Sequence, residues 1–346
     1  MGEGAEAHAA RAHLIAQARA CERLGSPFTA GLCRALAAVL DLSTETGRRV
    51  LAWPGDMTRD AVALRLCAGL HALVLEEKDR VLRAAFPPRS ASEFVLRGVL
   101  PATLRDHDEK LLAFLSHPPQ TNEVGRSGIL LPGFLHLARE TDLPLHLHEI
   151  GASAGLNLLF DRFRYRYGEA GWGEEDAPVV LSPELRGAPV PLKGRLKILS
   201  RAGSDLAPLD LRRPEMRTRL SAYVWADQSE RLARLDAAIK LAGAARVREA
   251  DALSAVEAML AAREAGAVTV LVHSLDWQYL PEAARLAIIE AMRAAGAASD
   301  ARRPLAWLRM EPGASGDAAL ALTLWPGGNT RHLADADFHG RWIAWR

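Results

Sequence analysis

Residues 148–157 read His148-Glu-Ile-Gly-Ala-Ser-Ala-Gly-Leu-Asn157. Glycines at 151 and 155, with only small residues between, describe a tight strand-to-helix turn where a ligand can lie against the main chain. Gly151 tolerates a positive φ, and the small side chains leave room for that ligand. A dinucleotide site asks for G-x-G-x-x-G, but Ser153 and Leu156 stand where its second and third glycines belong. A serine-hydrolase elbow asks for G-x-S-x-G, which Gly151–Gly155 matches letter for letter, with Ser153 as nucleophile. Acids such as Asp251 or Asp276, followed by His332 or His339, stand in a permissible order for the remaining triad members. Two features oppose that reading. The chain upstream is helical in pattern, whereas an elbow follows a strand of a sheet already begun, and no His-Gly-Gly segment supplies the oxyanion donors.

Other residues could do chemistry. His273 ends the apolar run Val268–His273, on the edge where open sheets bind ligands, and could act as a general base. Gln120-Thr-Asn-Glu-Val-Gly-Arg126 gathers amides, a hydroxyl and a charge pair, so that Asn122 and Glu123 could reach substrate or cofactor. The same letters also spell a helix start, with Thr121 or Asn122 as cap and Glu123 in the first turn. His146 and His148 share one face of a strand, but no third ligand stands at metal-site spacing, and packed or hydrogen-bonded histidines explain them better. No metal is expected. Trp172, Trp277 and Tyr279 could stack on an aromatic ligand, although core packing is the commoner fate.

These residues need elements to hold them. Before residue 140, apolar residues recur at helical spacing: Leu14, Ala18, Cys21; then Phe28, Leu32, Leu36, Val39; then Val62, Leu66, Leu70, Leu73. The stretch Ser90–Leu115 reads as one helix or two broken at Pro101. After residue 140 strands alternate with helices. Strands are expected at 143–150, 195–200, 246–250, 268–273, 304–310 and 320–325. Helices are expected at 154–163, 213–241 and 281–295. Such alternation implies a mostly parallel sheet, and the last, closely spaced pair of strands implies an antiparallel edge. Residues 165–193 are too rich in Gly and Pro for a helix and read as an irregular insertion, a hairpin or a lid. The expected organisation is a helical region over 1–140 followed by an α/β domain over 141–346.

Composition narrows the function classes. Lys+Arg 43 against Asp+Glu 42 leaves a net charge of +1, so the electrostatic footprint of a nucleic-acid or anionic-membrane partner is missing. No run reaches the ~18 apolar residues of a membrane span, and the first twenty residues lack the pattern of a secretory signal. Three cysteines, Cys21, Cys33 and Cys67, read as core residues of a reduced cytoplasmic protein. The expected partner is a small molecule; the oligomeric state is left open.

Glu149-Ile-Gly-Ala-Ser-Ala-Gly155 also resembles the E/D-x-G-x-G-x-G turn that ends the first strand of class I S-adenosylmethionine-dependent methyltransferases, with Ser153 in place of the middle glycine. The resemblance covers residues 140–346 and implies a Rossmann-like α/β fold. It further implies S-adenosylmethionine as cofactor, held by Glu149, Gly151, Ser153 and Gly155. Asp205, or else Asp210, would meet the ribose hydroxyls, since one carboxylate can accept from both, and Asp251 would meet the adenine amino group. His273, Asn122 and Glu123 would then serve catalysis. Over nearly the whole chain, Gly25-Ser-Pro27, Gln120–Ser127, Glu149–Leu158, Arg201–Asp210, and His273-Ser274 with Tyr279 resemble a bacterial family catalogued as domain of unknown function twenty-three thirty-two. That family supplies no reaction. The expectation is methyl transfer to a small molecule; the alternatives are an esterase-like hydrolase using Ser153 and a non-catalytic binding protein on the same fold.

Overall fold

The computed structural model describes residues 2–346. It is a mixed α/β protein whose chain divides into two compact units. One ends at Thr121 and resumes over Arg213–Ala233; the other comprises Asn122–Arg212 and Arg234–Arg346. No helix among the described residues is long and apolar enough to cross a membrane.

The first unit is helical. Gly2–Arg23, Pro27–Val39 and Val62–Leu75 bury the apolar stripes read from the sequence, with Leu14, Leu32, Leu36, Leu66 and Leu70 at its centre. Ser90–Leu115 forms two helices, Glu93–Asp106 and Asp108–Leu115, with Pro101 inside the first and the break at His107. The expected single helix over 213–241 is two, Pro214–Ala222 and Ser229–Ile239. Between them Asp227 turns back to the start of Pro27–Val39, accepting from Ser26 Oγ and, at 2.9 Å, from the Phe28 N–H. That bond meets an amide at a helix start, where no intrahelical acceptor exists.

The second unit is built on twelve strands. They are β1 (Leu145–Ile150), β2 (Arg164–Tyr167), β3 (Ala170–Trp172), β4 (Val180–Leu181), β5 (Glu184–Gly187), β6 (Ile198–Asp205), β7 (Arg246–Glu249), β8 (Val268–Ser274), β9 (Leu305–Pro312), β10 (Ala318–Trp325), β11 (Asn329–Ala336) and β12 (Trp342–Trp345). Nine form one sheet in the order β5-β12-β11-β10-β9-β8-β1-β6-β7, and β3-β2-β4 form a small second sheet from the insertion. From β7 through β9 all pairs are parallel; β9 to β12 is an antiparallel meander, so the antiparallel edge has two strands more than the sequence suggested. Alternation along β9 explains the layering. Leu305 and Trp307 join Ile150, Leu271, Val256 and Ile288 under helices Ala252–Ala261 and Glu282–Ala297. Helix Ser127–Thr141 packs on β9 and β10, so the helix that closes the expected N-terminal region belongs to the sheet. With both faces covered, every residue of β8 is buried.

From β1 the chain builds outward through β6 to β7, then crosses to β8 on the other side of β1. The strand order therefore reverses between β1 and β8. In open parallel sheets that crevice, at the carboxyl ends of the strands, is where ligands bind.

Candidate functional site

Glu149 sits near the carboxyl end of β1, paired in register with Gly203 on β6 and Val272 on β8. Its side chain is 3% exposed, and its Oε2 has no hydrogen-bond partner among the described residues. Burial, aided by Asp276 and Asp205 and opposed by Arg126, pushes its carboxyl up to about 8. The turn that follows places Gly151, Ser153 and Gly155 all at positive φ, +63°, +53° and +75°. Ser153 thus adopts a backbone that glycine favours, as the middle position of the turn demands.

Asp205, the last residue of β6, accepts from the Ser153 N–H (2.8 Å) and the Ala207 N–H (2.9 Å). The carboxylate expected to meet a ribose braces the turn instead. Asp210 pairs with Arg212 in exposed surroundings. Asp251, expected near an adenine, is the N-cap of Ala252–Ala261, accepting from the Ser254 N–H and Oγ. A short carboxylate directly before a helix commonly takes that role. Gly155 opens onto packing rather than a ligand, since a β-carbon there would stand 2.8 Å from Val247 Cγ2. The expected helix over 154–163 is a 3-10 helix, Leu156–Arg162.

Glu123, rather than Thr121 or Asn122, is the N-cap of the helical run that follows, and Asn122 reaches across to another segment. Asn122 Oδ1 accepts from the buried Leu156 N–H at 2.9 Å, capping the 3-10 helix after the turn, and Glu123 accepts from the Gly125 N–H at 3.1 Å. Asn122 therefore meets the Gly-rich turn through its backbone. Arg126 donates to the Ser274 carbonyl at 2.9 Å and to the Phe338 carbonyl at 3.1 Å. Burial works against its charge, while Glu123, Glu311 and Glu149 favour it.

His273 is 0% exposed and spends both ring nitrogens. Trp307 Nε1–H, which can only donate, bonds His273 Nε2 at 2.9 Å, and His273 Nδ1 bonds Glu311 Oε1 at 2.6 Å. The tautomer follows: the proton is on Nδ1, and the Nε2 lone pair is taken. The general-base role expected of His273 is closed to it in this arrangement. The ring instead orients Glu311, whose Oε1 also accepts from the Asp276 N–H (3.1 Å) and the Trp277 N–H (3.3 Å). Trp277 stacks on His273 at 5.1 Å, Trp172 meets Tyr165 edge-on, and Tyr279 stays 76% exposed.

Asp276 is the nearest group to the turn from the β8 side. A β-carbon on Gly151 would fall within the Asp276 carboxyl group, whose farthest oxygen, Oδ2, would be 2.6 Å away. Burial pushes the Asp276 carboxyl up from the usual carboxylate range, as do Glu311 and Asp205, against His273 and Arg126. Glu311 and Trp307 escaped the sequence reading, although Glu311 carried the available signal: an acid directly after an apolar strand.

Ser153 Oγ is buried with no hydrogen-bond partner among the described residues, so no imidazole meets it as a hydrolase base would. His146 and His148 bond Ser200 Oγ (2.7 Å) and Ser204 Oγ (3.3 Å) on β6. Among the described residues no three His, Cys, Asp or Glu side chains converge to hold a metal ion. The site is thus an acidic cluster, the buried Glu149 with the half-buried Asp205, Asp276 and Glu311, countered by Arg126. Such a cluster is chemically suited to a cationic group.

No curated protein and no solved structure matches the chain. One family model does, over residues 11–345, and the chain belongs to that family, the uncharacterized bacterial proteins of DUF2332.

Proposed function

We propose that the carboxyl edge of β1 and β8 binds S-adenosylmethionine and that the protein transfers its methyl group to a small molecule. The observation that carries this reading is the buried Glu149 carboxyl, with a partnerless oxygen, at the crevice where strand order reverses. An ammonium or sulfonium cation would satisfy that oxygen and favour its charged form. The positive φ at residues 151, 153 and 155 supports the resemblance of this turn to the methyltransferase pattern, Ser153 included. So does the run of parallel strands β7-β6-β1-β8-β9, with an acid at or next to the ends of β1, β6, β7 and β9.

When bound, the cofactor supplies an electrophilic methyl carbon on a cationic sulfur. The chain's own residues position the reactants and manage protons. Glu149 holds a proton in most molecules at pH 7, so binding a cation there releases it. Asp205 and Asn122 fix the turn through the Ser153 and Leu156 amides.

Calorimetry with S-adenosylmethionine and S-adenosylhomocysteine tests the reading. Binding is expected for both, weakened at least tenfold by Glu149→Gln, with proton release below pH 8 shown by buffers of different ionisation enthalpy. No heat with either ligand at millimolar concentration rejects it.

A further inference from the structure

We propose that Asp276 is a built-in occupant of the ligand cradle, and that a ligand enters by displacing it as the segment Ser274–Tyr279 withdraws. The inference rests on the reading of Glu149–Gly155 as the ligand site and adds how that site is controlled. The backbone face that small residues keep open at Gly151 is covered by the chain's own carboxyl group. Beside it, Glu149 Oε2 and Ser153 Oγ are buried without a hydrogen-bond partner among the described residues. Buried polar atoms left so are costly, and a state that relieves them is favoured once a ligand supplies partners.

The covering segment carries backbone strain that opening would release. Leu275, just before Asp276, is held at φ +55°, a conformation disfavoured for a branched side chain. The bonds that opening must break are Arg126 on the Ser274 carbonyl, the Leu275 N–H on the Met310 carbonyl, Glu311 Oε1 on the Asp276 and Trp277 amides, and the packing of Trp277 on His273 and Trp307. Its far end carries Tyr279, largely in solvent. Asp276 also lies in the field of Asp205 and Glu311, which opposes its charge where it rests. A segment strained at Leu275 and carrying a carboxylate into an acidic cluster has a competing open arrangement, and apparent affinity falls with the fraction of closed molecules.

Two readouts on wild type and Asp276→Ala test this. The first needs no ligand: carbodiimide coupling of an amine to Glu149, followed by mass spectrometry, reports whether that carboxyl is reachable. Labelling at least fivefold faster in the variant is expected. The second is titration with S-adenosylhomocysteine, expected to bind the variant at least fivefold tighter. Unchanged labelling overturns the gate whatever the ligand does. Faster labelling with equal or weaker affinity in the variant overturns displacement by the ligand. Faster labelling with no binding to either protein keeps the gate and rejects the proposed cofactor. Should Asp276→Ala lose its cooperative melting transition, Asp276→Ser, which also vacates the space over Gly151 but keeps a polar side chain, is held to the same outcomes.

Discussion

Glu149→Gln isolates the energetic cost of the acidic cluster. In the fold its carboxyl is pushed from an ordinary 4.5 up to about 8. The folded state therefore binds the proton more tightly than the unfolded chain, and stability must fall as pH rises through that window. Below 4.5 both states are protonated and nothing is lost. Above about 8 both are ionised and the full burial penalty is present. Each pH unit between is worth roughly 1–1.5 kcal/mol, so the loss across the window approaches about 4–5 kcal/mol. Asp276 is raised by the same burial and adds loss of the same sign. Glutamine keeps the shape and removes the titration. Urea denaturation at intervals from pH 5 to 9 should show wild-type stability declining steadily. The variant's curve should be flatter and should cross above the wild type before pH 8. A wild-type curve flat from pH 5 to 8, or a variant with the wild-type slope, would refute the assignment of a protonated, buried Glu149.

Ser153→Gly should stabilise the protein by about 1 kcal/mol, because it relieves a side chain at φ +53° and deletes a sealed hydroxyl. It should also retain binding of S-adenosylhomocysteine, and a thermal melt with and without ligand reads both. Asn122→Ala removes the acceptor for the Leu156 N–H and should cost about 1–2 kcal/mol, with Asn122→Asp recovering most of it, as urea midpoints will show. Trp307→Phe leaves His273 Nε2 buried without its donor and should cost about 1–3 kcal/mol in the same assay.

What the sequence disclosed and what it hid divide by range along the chain. β1 and β8 were legible because a short apolar run between turn signals has few other readings, and the turn was legible because two glycines bracket small residues. The break between Pro214–Ala222 and Ser229–Ile239 was not, since Met216, Leu220 and Tyr223 continue in helical period with Leu232, Leu235 and Ile239. What breaks the helix is Asp227, drawn to the Ser26 hydroxyl and the Phe28 amide some two hundred residues away. Helix Ser127–Thr141 falls within the helical region expected over 1–140 yet packs on the sheet, because an apolar stripe reports that a face is buried and not what buries it. β11 and β12 went unseen because the polar stretch Asn329–His332 and the loop before Trp342 mask a short alternation of buried residues.

At the site, local rules located the acids but could not assign them work. The carboxyl ends of parallel strands collect acids for two distinct reasons: to brace the turn or cap the helix that follows, and to meet a ligand. Asp205 and Asp251 do the first, with both oxygens of each engaged by neighbouring backbone or side-chain donors. His273 shows the limit most clearly. Its position at the end of β8 was evident, yet its chemistry is set by an indole 34 residues later and a carboxylate 38 residues later, which consume the lone pair a base would need. The partnerless oxygen of Glu149 is the converse case. Nothing adjacent in sequence distinguishes it from Asp205. Only the three-dimensional fold leaves its Oε2 buried without a bond, close to where Asp276 lies over Gly151, and that deficit draws the functional hypothesis to Glu149 rather than to its neighbours.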